Sequence, residues 1–260
     1  MNSCNLRRLA WRVVSLAMCC CLCAGVPAEA ADRFDAAVAH AGRSAADLRR
    51  DGLDHPAEIL RLTGIKPGMR VADVLAGDGY YSELLSYVVG PKGRVLSINN
   101  AAFDGWSDGD RQARLAGDRL PNVQHQTLDL NDMHIPNGSL DAVLLVKVYH
   151  DLYWVDTEGK WPKIDTSGVL SQLANALKPG GVLLVVDHSA KAGSGAADSS
   201  RLHRIDESYA VRDIESQGLE KVAESDVLRS PGDARDQISF KGPMLGKTDR
   251  FALVFRKPAH

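Results

Sequence analysis

The chain has 260 residues, of which 31 are basic and 33 acidic, for a formal net charge of −2 at pH 7. With 45% hydrophobic residues it can build an ordinary core. The absence of any Lys/Arg run after residue 30 argues against nucleic acid as a partner. The same stretch offers no basic amphipathic helix, so nothing predicts stable membrane association of that part of the chain.

Residues 1–30 read as a secretory signal. Arg7, Arg8 and Arg12 form a basic start, Val13 to Val26 is an apolar run, and Ala28-Glu29-Ala30 supplies a small-residue cleavage site. The run falls short of the roughly 20 residues a membrane span needs. The reading predicts cleavage after Ala30 and export, to the periplasm in a bacterium. All five cysteines (Cys4, Cys19, Cys20, Cys21, Cys23) lie inside this segment, so residues 31–260 would hold no disulfide, catalytic thiol or thiolate metal site. Without residues 1–30 the chain carries 28 basic and 32 acidic residues, net −4. A remainder of 230 residues fits one domain. The oligomeric state has no signal in the sequence.

In chain order, residues 31–64 read as a helical lead-in. Phe34, Val38 and Leu48 are its first apolar anchors, and Asp54 is expected to cap a helix carrying Pro56 and Ile59. Lys66-Pro67-Gly68 turns into a strand at 70–75, which ends in the turn Gly77-Asp78-Gly79 and a helix at 80–89. Strands are expected at 94–98, 122–127, 140–146 and 182–186, the last two almost wholly apolar, as buried parallel strands are. A polar, partly helical segment covers 103–120. Helices are expected at 166–177 and 202–217, then strands at 219–228 and 250–256, forming an antiparallel pair at one end of the sheet. The alternation predicts an α/β fold, a doubly wound and mainly parallel seven-stranded sheet with ligands beyond the carboxyl ends of its strands. Residues 151–165, with Trp154 and Trp161, and residues 189–201 follow strand ends and are placed to cover such a site.

Residues 71–85, VADVLAGDGYYSELL, have the form of a strand, a glycine turn and a helix start, where a nucleotide-like ligand is bound. Together with IPNGSLDAVLLV (135–146) and LKPGGVLLVVDHS (177–189), this stretch resembles the class I S-adenosylmethionine-dependent methyltransferases. The features GYYSELL, VYHDLYW (148–154), DHSAKAG (187–193), LHRIDE (202–207) and KTDRFALVF (247–255) resemble a little-characterised group of exported bacterial methyltransferases. The resemblance implies S-adenosylmethionine as cofactor, a cofactor-binding core at 65–190, a C-terminal part of the sheet at 191–260 and methyl transfer to a small molecule. It implies roles for Asp73, Gly77, Asp78, Gly79 and Tyr80 at the first turn. It also implies them for Asn99 at the ribose, and for Asp129 and Leu130 at the adenine. Two residues depart from the family pattern. Leu75 stands where a glycine is usual, and Asn99 stands where an acidic residue is usual.

His150 with Asp151 follows strand four, and His188 with Asp187 follows strand five. His203 is expected to begin the next helix, with Asp206 and Glu207 on its face. Three readings fit. One is a general base, with His150 first, Asp151 orienting it, and His188 second. Another is a divalent metal held by His150, His188 and His203 with a carboxylate. The third is structural tethering. No metal ligand is assigned on the sequence alone. Two alternatives to methyl transfer accompany these readings. One is an exported binding protein that keeps the fold without transfer, favoured by Leu75 and Asn99. The other is a metal-dependent enzyme on the same fold. Arg204 and Arg250 would serve either an acidic substrate group or surface ion pairs.

Overall fold

The computed structural model describes residues 32–259 and Met1. The expected signal and its cleavage point lie outside the described residues. A short α1 (Arg33–Val38) is capped by the Asp32 carboxylate, which accepts from the Phe34 N–H. α2 (Ala45–Asp54) starts on Ser44, and α3 (Pro56–Arg61) follows with Pro56 in its first turn. His55 joins the two in a left-handed conformation. Asp54 therefore ends α2 rather than capping α3, and its carboxylate points elsewhere.

β1 (Arg70–Val74), α4 (Tyr80–Val89), β2 (Arg94–Asn99), α5 (Ala101–Leu115), β3 (Val123–Thr127), β4 (Leu140–Val146), α6 (Thr166–Ala176) and β5 (Leu177–His188) then alternate. A one-turn α7 (Ser199–Leu202), α8 (Glu207–Glu215), β6 (Glu220–Ser225) and β7 (Arg250–Arg256) complete the chain. The seven strands form one sheet in the order β3-β2-β1-β4-β5-β7-β6. β1 to β5 are parallel, while β7 runs antiparallel to both β5 and β6. The expected fold class is the one observed.

Two elements differ from expectation. β5 starts five residues early, at Leu177, because Gly180 (φ +78) allows an irregularity in its pairing with β4. The single helix expected at 202–217 is broken at His203, which closes α7 in a left-handed conformation, and α8 begins afresh after Asp206. Asp206 caps α8 by accepting from the Ser208 N–H. A short polar residue three places after His203 thus acts as a helix start and not as a partner on one helical face.

Both faces of the sheet are covered. Successive residues of β4 alternate between two apolar clusters. Ala142 and Leu144 pack with Leu84, Leu85 and Val88 of α4 and with Ile59 and Leu60 of α3. Val143 and Leu145 pack with Val169, Leu170 and Leu173 of α6 and Ile214 of α8. Each such fully buried aliphatic side chain contributes roughly 1.5–3 kcal/mol. This two-sided core fixes the carboxyl ends of β1, β2, β4 and β5 at one rim of the sheet. No helix among the described residues is long and apolar enough to cross a membrane.

Candidate active site

The glycine turn lies at the carboxyl end of β1. Gly77 and Gly79 have φ of +59° and +85°, which a side chain would strain. A Cβ on Gly79 would also meet Arg114 Cδ at 3.3 Å. α4 starts directly on Gly79, which has no side chain of its own to cap it, and the Asp78 carboxylate accepts from the Tyr80 N–H at 3.2 Å. Leu75 adopts the same left-handed conformation, at φ +56°, while its side chain stays buried in the core.

Asn99 ends β2 with its side chain fully buried. Its Oδ1 accepts from the Gly77 N–H at 2.9 Å, and its Nδ2 donates to the Gly77 carbonyl at 3.0 Å and to Asp104 Oδ1 at 2.9 Å. Asp104 also takes the Thr127 hydroxyl, Arg111 and His125. Burial raises the Asp104 carboxyl, and the donors from Thr127, Asn99 and His125 bring it below its ordinary value. From the end of α5, Arg114 donates to the Asp78 carbonyl at 2.8 Å and pairs with Asp47, Asp78 and Glu83. Asp78 is thus an anchor for Arg114 at the turn. Asp73 is buried in β1 and accepts from the Ser82 hydroxyl at 2.7 Å; burial pushes its carboxyl up to about 7.

Tyr80 and Tyr81 are both buried; the Tyr80 hydroxyl donates to Asp51, and the Arg50 guanidinium lies 3.8 Å from the Tyr80 ring centroid. Asp129 is exposed and accepts from the Asn131 N–H, while the Leu130 side chain is buried.

A cavity of about 780 Å³ opens at the same rim. One wall is aromatic, formed by Phe103, Trp106, Trp154 and Phe240. Trp106 stacks on Trp161 from the expected covering segment, with centroids 5.9 Å apart. A second wall is ionic. Asp54 accepts from Arg50 Nε and Lys147 Nζ at 2.7 Å each and from Arg250 at 2.6 Å, three cations on one carboxylate. Burial alone would raise the Asp54 carboxyl, but Lys147, Arg50 and Arg250 hold it well below the usual range. Lys147 is lowered to about 8, by burial and by the neighbouring Arg50. The sequence alone points neither to this cluster nor to Asp104. Their members are scattered along the chain, Asp54 and Arg250 by 196 positions.

The histidines form the third wall. His150 is buried, with Nδ1 at 2.8 Å from Asp187 Oδ1 and its backbone N–H on Asp187 Oδ2 at 2.7 Å. Its Nε2 lies 3.2 Å from Asp151 Oδ1 and 3.2 Å from His203 Nδ1. Burial disfavours the His150 cation, yet Asp151 and Asp187 raise it to about 10. His188 lines the same cavity, with its ring centroid 6.2 Å from that of His150 and Nδ1 at 2.7 Å from the Thr248 hydroxyl. Burial, with His150 and Lys147 nearby, pushes His188 well below its ordinary value. Among the described residues, the group able to share an ion is His150, Asp151 and His203, and His188 is outside it. Asp187, rather than Asp151 alone, orients the His150 ring.

The two arginines marked in the sequence lie inside the molecule. Arg204 is fully buried and pairs with Asp233, and Arg250 lines the cavity beside Asp54. Leu75, Lys147 and His203 are all non-glycine residues in left-handed conformations at this rim, where strain commonly accompanies function.

Residues 72–185 match the family model described as a methyltransferase domain. The chain is 31% identical over 128 residues to 2-phytyl-1,4-naphtoquinone methyltransferase of Synechococcus elongatus, 49% of each chain. It is 27% identical over 132 residues to the ubiquinone/menaquinone biosynthesis C-methyltransferase UbiE of Ectopseudomonas mendocina, 50% of this chain and 46% of that one. The chain thus spans about half the length of the curated relatives it matches. Among solved structures, it resembles a SAM-dependent methyltransferase from Aquifex aeolicus at TM-score 0.58 and 21% identity, over 80% of this chain and 92% of that one. Geranyl diphosphate C-methyltransferase from Streptomyces coelicolor, solved with S-adenosyl-L-homocysteine, gives TM-score 0.57 at 14% identity over 82% of each chain. Residues 72–185 thus match a methyltransferase domain in sequence, and the sheet has the fold of these solved methyltransferases.

Proposed function

We propose that this chain transfers a methyl group from S-adenosylmethionine to a small molecule held in the cavity at the sheet rim. The observation that carries the reading is the left-handed Gly77–Gly79 turn at the start of α4, at the same strand ends as a cavity of about 780 Å³.

The residues fit the cofactor, with one alteration at β2. Gly77 and Gly79 would hold its methionine part by close backbone approach, and Leu130 and Asp129 would flank its adenine. At β2, Asn99 is committed to Gly77 and Asp104. The adjoining Asn100 is buried and caps α5 through Oδ1, and its Nδ2 has no partner among the described residues. That buried donor is chemically suited to a ribose hydroxyl, without the strength of a charged acceptor. When bound, the cofactor supplies an electrophilic methyl group on a sulfonium. The protein's part is mainly positioning. The aromatic wall of Phe103, Trp106, Trp154 and Phe240 suits a flat apolar acceptor and excludes water from it. Arg50, Lys147 and Arg250 exceed Asp54 by two positive charges, which suits an acidic group on the ligand. Asp187 fixes the His150 ring, so that its Nε2 edge meets Asp151 and His203 beside the cavity.

Calorimetric titration of the folded protein with S-adenosylmethionine tests the reading. Saturable binding is expected, and a folded sample that gives no heat and no shift in melting temperature refutes it. We also propose export, on the basic and apolar pattern of residues 7–30. Cell fractionation that finds only uncleaved, cytoplasmic protein refutes that part.

A further inference from the structure

We propose that His150 Nε2, Asp151 Oδ1 and His203 Nδ1 bind a divalent transition-metal ion whose remaining coordination positions face the cavity. The three atoms are separated by 3.2, 3.2 and 3.5 Å. Ligands about 2.0–2.1 Å from a common centre lie about 2.8–3.0 Å apart at octahedral and about 3.3–3.4 Å apart at tetrahedral angles. The observed triangle is close to the tetrahedral size. Charge-assisted hydrogen bonds are about 2.7–2.9 Å, so the two edges to Asp151, at 3.2 and 3.5 Å, are long for contacts held by protons alone.

Electron-pair counting points the same way. Asp187 accepts from the Nδ1–H of His150, so an ion would displace the proton on Nε2 and bind the lone pair beneath it. That lone pair faces a carboxylate oxygen and a second imidazole nitrogen. A single proton bridges one edge of such a triangle, whereas one cation satisfies all three corners. Asp187, fully buried, is the carboxylate that commonly stands behind a metal-bound histidine and fixes its tautomer.

The setting is built to hold His203 in place. Its backbone is left-handed at φ +51°, at a cost of about 1–3 kcal/mol for a residue other than glycine. Its ring is held edge-on by Phe240, with centroids 4.6 Å apart, and lies 5.5 Å from Trp154. Two imidazoles and one carboxylate suit zinc, cobalt or ferrous iron better than magnesium or calcium, which prefer all-oxygen sets. All three ligand residues line the large cavity, so the ion would be open to a ligand there. The acceptor class that follows is a small molecule carrying a coordinating oxygen, nitrogen or sulfur. That last step rests on the methyl-transfer reading, but the ion site itself does not.

Cobalt(II) titration of the full chain tests the site, with Cys4, Cys19, Cys20, Cys21 and Cys23 changed to Ser in every sample to remove thiolates. After chelation and dialysis, the protein should take up one equivalent with a visible ligand-field band. His203→Ala should weaken binding at least tenfold, and its side chain is 19% exposed, so its loss opens no core. Asp151→Asn, isosteric, should do the same, while His188→Gln should leave cobalt affinity unchanged. No uptake by protein shown folded by circular dichroism overturns the proposal. So does uptake that neither His203→Ala nor Asp151→Asn weakens. The readout is metal uptake, so it stands or fails separately from S-adenosylmethionine binding.

Discussion

Asn99 grips Gly77 with both ends of its side-chain amide, accepting from the glycine N–H and donating to the glycine carbonyl. This ties the end of β2 to the turn that follows β1, and the same Nδ2 also reaches Asp104. The departure from an acidic residue at this position therefore has a structural reason. A carboxylate has no donor for the Gly77 carbonyl and would repel Asp104.

The first prediction is that Asn99→Asp destabilises the protein rather than improving its cofactor site. The substitution leaves a buried carbonyl without its donor and sets two carboxylates together. The cost should be about 3 kcal/mol or more. Urea unfolding at pH 7 measures it. If the Asn99→Asp protein were as stable as the parent and bound S-adenosylmethionine more tightly, Asn99 would be free to be exchanged.

A second prediction concerns Leu75. Replacing it with glycine removes a left-handed conformation that costs a leucine about 1–2 kcal/mol. It also deletes a core side chain that is 3% exposed, and large-to-small changes at such sites cost about 2–5 kcal/mol. Burial wins, so Leu75→Gly should lower stability by about 1–3 kcal/mol in the same assay. Equal or greater stability would mean that the backbone strain outweighs the packing.

Where local chemistry sets an element, the sequence is a sufficient guide. β4 and β7 lie at the expected residues because each is a short, strongly apolar run between polar neighbours. The glycine turn and the meeting of His150 with His188 follow from strand order alone. The break at His203 does not, because residues 202–217 keep a helix-like pattern across it, and only the tertiary contacts of His203 select the left-handed turn. The Asp54 and Asp104 clusters join residues with no common local pattern. Their partners meet only after the sheet has formed. Asp187 reads from the sequence as a companion of His188, yet the fold turns its carboxylate to His150 as well.

The third prediction is a pH dependence. Burial raises the Asp73 carboxyl from its ordinary 3.8 to about 7, against the opposing hydrogen bond from Ser82. The stabilising contribution is therefore complete below about pH 4. It is lost as the pH rises through 7, by up to about 4 kcal/mol at 1.36 kcal/mol per pH unit. Asp73→Asn keeps an acceptor for the Ser82 hydroxyl and cannot ionise. The stability of the variant relative to the parent should rise between about pH 4 and pH 7 and level off above that. A constant difference across that range would place the Asp73 titration elsewhere.

The fourth prediction follows from the three cations on Asp54. Asp54→Asn leaves Arg50, Lys147 and Arg250 without their shared buried carboxylate, and breaking a buried pair from one side costs about 3–5 kcal/mol. Lys147 offers partial relief. Burial and Arg50 already lower it to about 8, and removing the Asp54 charge lowers it further. Its folded value lies below the unfolded 10.5, so the fold penalises the charged form. That penalty fades as the pH rises from about 8 toward 10.5. The Asp54→Asn penalty should accordingly be larger at pH 7 than at pH 9.5, as read from paired chemical denaturation curves. A penalty independent of pH would mean that Lys147 keeps its proton throughout and that the two arginines alone set the cost. Removal of the carboxylate should also strengthen binding of small anions in the cavity, measurable as a greater protection by added sulfate for the variant than for the parent.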